Sequence, residues 1–81
     1  MLNAAIYQEE QNFMHNVVWL RKHHGISKKR MSKLLGIGIG SLNKIERGEM
    51  PLRLKADGFI NIHRNFGIRP NDQLTQRLDE K

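Results

Sequence analysis

Apolar residues along this chain recur at helical rather than strand spacing. Ile6, Phe13, Val17 and Leu20 fall on one stripe of a helix expected from about Asn3 to His23. His24 and Gly25 end it, because glycine takes the left-handed closing conformation without steric cost. Ser27 offers an N-cap to a short second helix, with Met31, Leu34 and Leu35 on its inner face and Gly36 breaking it. A third helix is expected from roughly Ile39 to Arg47, with Leu42 and Ile45 pointing inward and Gly48 closing it. Pro51 marks a loop. Phe59, Ile62, His63 and Phe66 repeat at i, i+3, i+4 and i+7, which predicts a fourth helix ending at Gly67. Pro70 suits the first turn of a last helix bearing Leu74 and Leu78 one turn apart. There is no sustained period-two run and no Asn-Gly or Asp-Gly hairpin turn. The pattern predicts an all-α bundle of five short helices.

At 81 residues the chain has room for one small core, so a single domain over residues 1–81 is expected, with an N-terminal extension at 1–10. No cysteine is present, which removes disulfides and thiolate metal sites. Four histidines remain: His15, His23, His24 and His63. His23 and His24 are adjacent and point to different helix faces, and no carboxylate stands at ligand spacing. They read as surface residues, with His63 half-buried, and no metal is expected. Gly36, Gly38 and Gly40 lack the spacing, the preceding strand and the βαβ context of a nucleotide loop, so no cofactor is expected either. Trp19 and Tyr7 read as packing or interface residues. No nucleophile, base and orienting group stand together, and the chain is too short for a shielded cleft, so the expectation is not an enzyme.

Charge narrows the field. The net charge is +6, but residues 1–20 carry −2, residues 48–81 carry +1, and residues 21–47 carry +7. A positive field concentrated in one segment attracts polyanions, either nucleic acid or an acidic membrane surface. A membrane-surface helix needs a continuous bulky apolar face. The second helix has only Met31, Leu34 and Leu35, which the core claims, and no apolar stretch approaches bilayer length. The first 20 residues contain no Lys or Arg and lack the basic start of a secretory leader, so a cytoplasmic protein is expected. Within the basic segment, Lys28, Lys29 and Arg30 stand in the first turn of the second helix. There the helix dipole disfavours each cation by about 0.3–1 kcal/mol. An external phosphate would compensate, held by the same cations and the free N–H groups.

Two short helices joined by a glycine-containing turn over about residues 27–47 describe a helix-turn-helix. Arg21, Ser27, Met31, Leu34-Leu35-Gly36-Ile37, Ser41-Leu42, Ile45-Glu46-Arg47-Gly48 and Pro51 closely resemble the Cro/C1-type (XRE) helix-turn-helix family of phage and bacterial repressors. The resemblance extends over about residues 13–74. It implies a five-helix, lambda-repressor-like DNA-binding domain that binds operator DNA, usually as a homodimer. It places Lys28 at a position contacting the DNA backbone. Ile39, Gly40 and Lys44 fall where base edges are read, with Ser41, Asn43 and Arg47 close to phosphates. Arg21 and Glu46 match a structural salt bridge between the first and third helices.

The chain departs from the family pattern where it matters for reading sequence. Lys28 stands where the family usually has Gln, Ile39 can touch only a thymine methyl, and Gly40 has no side chain. Lys44 is left as the strong direct reader, toward guanine. Gly38 and Gly40 weaken the third helix by roughly 1 kcal/mol each if both lie in its interior. The expectation is a DNA-binding transcriptional regulator, a repressor, that puts helix 39–47 into the major groove of double-stranded DNA with Lys28, Lys29 and Arg30 on phosphates. The alternative is a protein-interaction or antitoxin-like accessory module on the same fold, acting on a protein partner.

Overall fold

Local capping and one shared core account for the architecture. The computed structural model describes the backbone of residues 4–51 and 56–80, and the side chains of residues 8–51 and 58–79. The side chains of Ile6 and Tyr7 lie outside the described residues. Five α-helices occur among those described: α1 (Ala4–His23), α2 (Lys28–Leu35), α3 (Ile39–Glu46), α4 (Ala56–Phe66) and α5 (Pro70–Thr75). A 3-10 turn, Leu78–Glu80, follows. The fold is all-α. Residues 4–10 are the first turns of α1.

α2 begins where Ser27 Oγ accepts the backbone N–H of Arg30 at 3.1 Å, satisfying one of the donors a helix start leaves open. It ends at Gly36, whose φ of 72° is the left-handed region that a side chain would strain. The next amide, Ile37 N, reaches back to Ser32 O at 3.0 Å and closes the last turn. α3 starts from Gly38, which is an N-cap without a side-chain bond and not a helix-interior residue. The interior penalty expected for glycine therefore applies to Gly40 alone.

The core draws on four of the five helices and the C-terminal turn, and Leu74 of α5 packs against it. Phe13, Met14, Val17 and Leu20 come from α1, Met31 and Leu35 from α2, Leu42 and Ile45 from α3, Ile62 from α4, and Leu78 from the C-terminal turn. Burial of each such large side chain contributes about 1.5–3 kcal/mol. Phe13 and Phe59 meet with ring centroids 4.7 Å apart. α4 crosses close to α2 at Gly58, where an added Cβ would stand 3.1 Å from the carbonyl oxygen of Leu35. Asn61 Nδ2 donates to Leu34 O at 2.7 Å and satisfies a carbonyl at the end of α2. His63 is exposed rather than half-buried, because Phe59, Ile62 and Phe66 take the inward stripe of α4.

The C-terminal segment departs from the expected helix. Leu74 and Leu78 belong to different elements, since the chain turns extended at Gln76 (φ −131°, ψ 150°). The cause lies on α1. Asn12 Nδ2 donates to Leu74 O at 2.9 Å, and Leu78 N donates to Asn16 Oδ1 at 2.9 Å. A continuing helix would have paired those two backbone groups with each other. Asn16 Nδ2 also donates to the carbonyls of Gln73 and Gln76. Two asparagines of α1 thus take over the bonds that would have extended α5.

Candidate nucleic-acid interface

The N-terminal turn of α2 exposes Lys28, Lys29 and Arg30, and no acidic residue shares that turn. The three do not act alike. Successive helical residues are turned by about 100°, so Lys28 and Arg30 face nearly opposite directions. Arg30 faces a small cleft with His24, Ile26, Leu34, Asn65 and Phe66. Lys28 turns to α3. Its Nζ donates to Asn43 Oδ1 at 3.0 Å and stands 3.9 Å from Glu46 Oε1. The uncompensated charge expected at Lys28 is therefore partly met from within the protein. Among the described residues, Lys29 and Arg30 have no carboxylate within ion-pair distance.

Glu46 is anchored from the other side. Arg21 Nε donates to Glu46 Oε2 at 2.7 Å and Nη2 to Oε1 at 3.2 Å, a two-pronged pair whose side chains are 17% and 16% exposed. This planar fork fixes geometry as well as charge. Arg21 Nη1 also reaches Ile26 O at 3.4 Å in the turn before α2. One polar chain, Arg21–Glu46–Lys28–Asn43, therefore ties α1, α2 and α3 together.

Leu42 and Ile45 anchor α3 in the core and leave its other side open. Ile39 is 45% exposed, an apolar tip in a basic neighbourhood. Gly40, Lys44 and Arg47 are exposed, and Ser41 and Asn43 are half-buried. Arg47 Nη2 donates to Glu49 Oε2 at 3.3 Å, an exposed contact that leaves the guanidinium accessible. Lys28, Asn43, Glu46 and Arg47 line one cleft of about 320 Å³ between α2 and α3. It presents an ammonium, an amide and a guanidinium above a carboxylate already held by Arg21, which is chemistry suited to an anion. Of the residues singled out by sequence, the fold brings Lys28, Asn43 and Arg47 together. It leaves Lys29 apart from this cleft and puts Arg30 in another.

Two features had no signal in the sequence. The Lys28–Asn43 bond joins residues 15 apart across the turn. His15 Nε2 lies 2.8 Å from Asp79 Oδ1, a pair 64 positions apart that no local spacing reveals. His15 thus has a carboxylate partner where none was expected. His23 stacks on Trp19 at 4.5 Å, and His24 lies 4.9 Å from Phe66. Among the described residues, no group of three or more His, Asp or Glu side chains could hold a metal, and no helix is long and apolar enough to cross a membrane.

Comparison with known proteins agrees with the arrangement of α2 and α3 as a helix-turn-helix. A protein-family model described as Helix-turn-helix matches residues 18–56, from the second half of α1 to the start of α4. No curated protein and no solved structure matches the chain. The match contains α2, α3, the Arg21–Glu46 pair and the anion-suited cleft. Residues 18–56 are a Cro/C1-type helix-turn-helix of the XRE family.

Proposed function

We propose that this protein is a transcriptional regulator that represses by occupying operator DNA, working in the cytoplasm as a single-domain homodimer without cofactor or catalytic activity. The observation that carries this reading is the convergence of Lys28, Asn43 and Arg47 on one cleft beside the open side of α3. In this reading α3 enters the major groove. Lys44 donates to the O6 and N7 acceptors of guanine, and Ile39 packs on a thymine methyl. Lys28, Ser41, Asn43 and Arg47 take phosphate oxygens along one strand, while Lys29 and Arg30 meet phosphates further along the duplex. Gly40 puts backbone, not a side chain, against the bases. A two-fold dimer would read half-sites about one helical turn apart.

The test is a salt titration of binding to mixed-sequence duplex DNA, comparing the wild type with Lys28→Ala/Lys29→Ala and with Lys44→Ala. Each lost phosphate contact reduces the slope of log K against log salt by about 0.9, so the double variant should bind more weakly with a slope shallower by nearly two. Selection from random duplexes should give Lys44→Ala a different preferred sequence. A wild type that binds no duplex even at low salt overturns the reading. The protein-interaction or antitoxin-like role on the same fold then replaces it.

A further inference from the structure

Asn43 has one side-chain hydrogen bond among the described residues, and its polarity decides what the rest of the amide can do. An ammonium group only donates, so the atom facing Lys28 Nζ at 3.0 Å is the carbonyl oxygen Oδ1. The amide is planar, and its Nδ2 must then point away from Lys28. That nitrogen carries two donor hydrogens, and among the described residues it has no acceptor. Asn43 shares one stripe of α3 with the exposed residues Ile39 and Arg47, each four positions away, so its free end belongs to the cleft and its rim.

Lys28 keeps this arrangement without being used up by it. Both oxygens of Glu46 are engaged by Arg21, at 2.7 and 3.2 Å, and Glu46 stands 3.9 Å from Lys28, beyond hydrogen-bond distance. The carboxylate therefore biases the position of the ammonium but does not bind it as a close pair. Without Arg21, Glu46 would compete with any external anion for Lys28.

We infer that Asn43 is a phosphate donor whose amide is oriented by Lys28, and that Lys28 is a positioning residue as well as a charge, with Arg21 holding Glu46 out of competition. This assignment rests on the DNA-binding reading above. It distinguishes the cleft from a set of independent cations. Two groups that each touched a phosphate separately would lose affinity independently, whereas an oriented pair loses it once.

The experiment measures binding of the wild type, Lys28→Ala, Asn43→Ala and the double variant to one mixed-sequence duplex at fixed low salt. Side-chain amide spectra of the ¹⁵N-labelled free proteins are recorded alongside. A charge-assisted hydrogen bond corresponds to about a tenfold loss or more in affinity for each single variant. The double variant should lose little beyond the worse single one, the signature of coupled residues. Lys28→Arg, which retains a donor to Oδ1, should restore much of the affinity. In the free protein, Lys28→Ala should shift the Asn43 amide resonances. Losses that multiply in the double variant, or Asn43 resonances indifferent to Lys28→Ala, overturn the assignment while leaving DNA binding intact. A wild type that binds no duplex overturns the DNA reading and this assignment with it.

Discussion

Gly40 sits inside α3, where glycine is worth roughly 1 kcal/mol less than alanine. The fold gives no reason for it. Its φ is not positive, and an added Cβ would meet nothing within 4 Å. Gly40→Ala should therefore stabilise the isolated protein by up to about 1 kcal/mol, raising the thermal midpoint by about 4–8 °C for a domain of this size. Circular dichroism melting checks this, and a lowered midpoint would show a packing cost at Gly40. In the proposed function, the added methyl stands where α3 backbone approaches the bases. The same variant should then bind duplex DNA more weakly while melting later, a separation that a purely structural glycine could not produce. Leu42, on the opposite side of the helix and fully buried, sets the contrast. Leu42→Ala should destabilise by about 2–5 kcal/mol, because the deleted atoms leave a cavity in a close-packed core. Urea unfolding would report that loss.

At the level of elements, what local chemistry controls was legible and what distant chemistry controls was not. Ser27 and Gly36 bracket α2 as their residue types require, because an N-cap hydroxyl and a left-handed glycine act within one turn. Ser27→Ala should cost about 1 kcal/mol by denaturant titration, through the lost bond to Arg30 N. The candidate interface followed the same division. Lys28, Asn43 and Arg47 were nameable as residue types on helix faces. Their convergence, and the separation of Arg30 from them, depend on how α2 packs against α3. The C-terminal segment shows the limit most clearly. Pro70, Leu74 and Leu78 carry helical spacing, but the bonds that decide the outcome come from Asn12 and Asn16, more than 55 positions away. Asn16 is 1% exposed and serves Gln73 O, Gln76 O and Leu78 N at once. Leaving a buried polar group unpaired costs about 1–3 kcal/mol, so Asn16→Ala should destabilise by about 3 kcal/mol or more. His15→Ala, at the neighbouring position, should cost less than about 1 kcal/mol, because the His15–Asp79 pair is about one-third exposed and screened by water.

For the whole molecule, the segment that matches the helix-turn-helix family and the folding unit are different sets of residues. The family match covers residues 18–56, which hold α2, α3 and the Arg21–Glu46 pair. The core under them is borrowed from both sides. Phe13, Met14 and Val17 precede that segment, and Ile62 and Leu78 follow it. Removing the flanks would uncover Leu20, Met31, Leu35, Leu42 and Ile45, which are at most 1% exposed in the intact chain. Chains below about 40 residues rarely bury enough surface to fold without a metal or disulfide, and this one has no cysteine. The flanks also temper the charge. Residues 21–47 carry +7, and residues 1–20, with Glu9 and Glu10 on α1, carry −2. A fragment spanning residues 18–56 should therefore show weak helical dichroism and no cooperative melt, while the full chain melts in a single transition. The fragment should still bind duplex DNA through its charge, with a steep salt dependence and no preferred sequence, because counterion release needs cations but not a fixed geometry. A fragment that melts cooperatively and selects the same sequence as the full chain would show that α2 and α3 are held by their own contacts. The asparagines of α1 and the apolar residues of α4 and the C-terminal turn would then be dispensable for reading DNA.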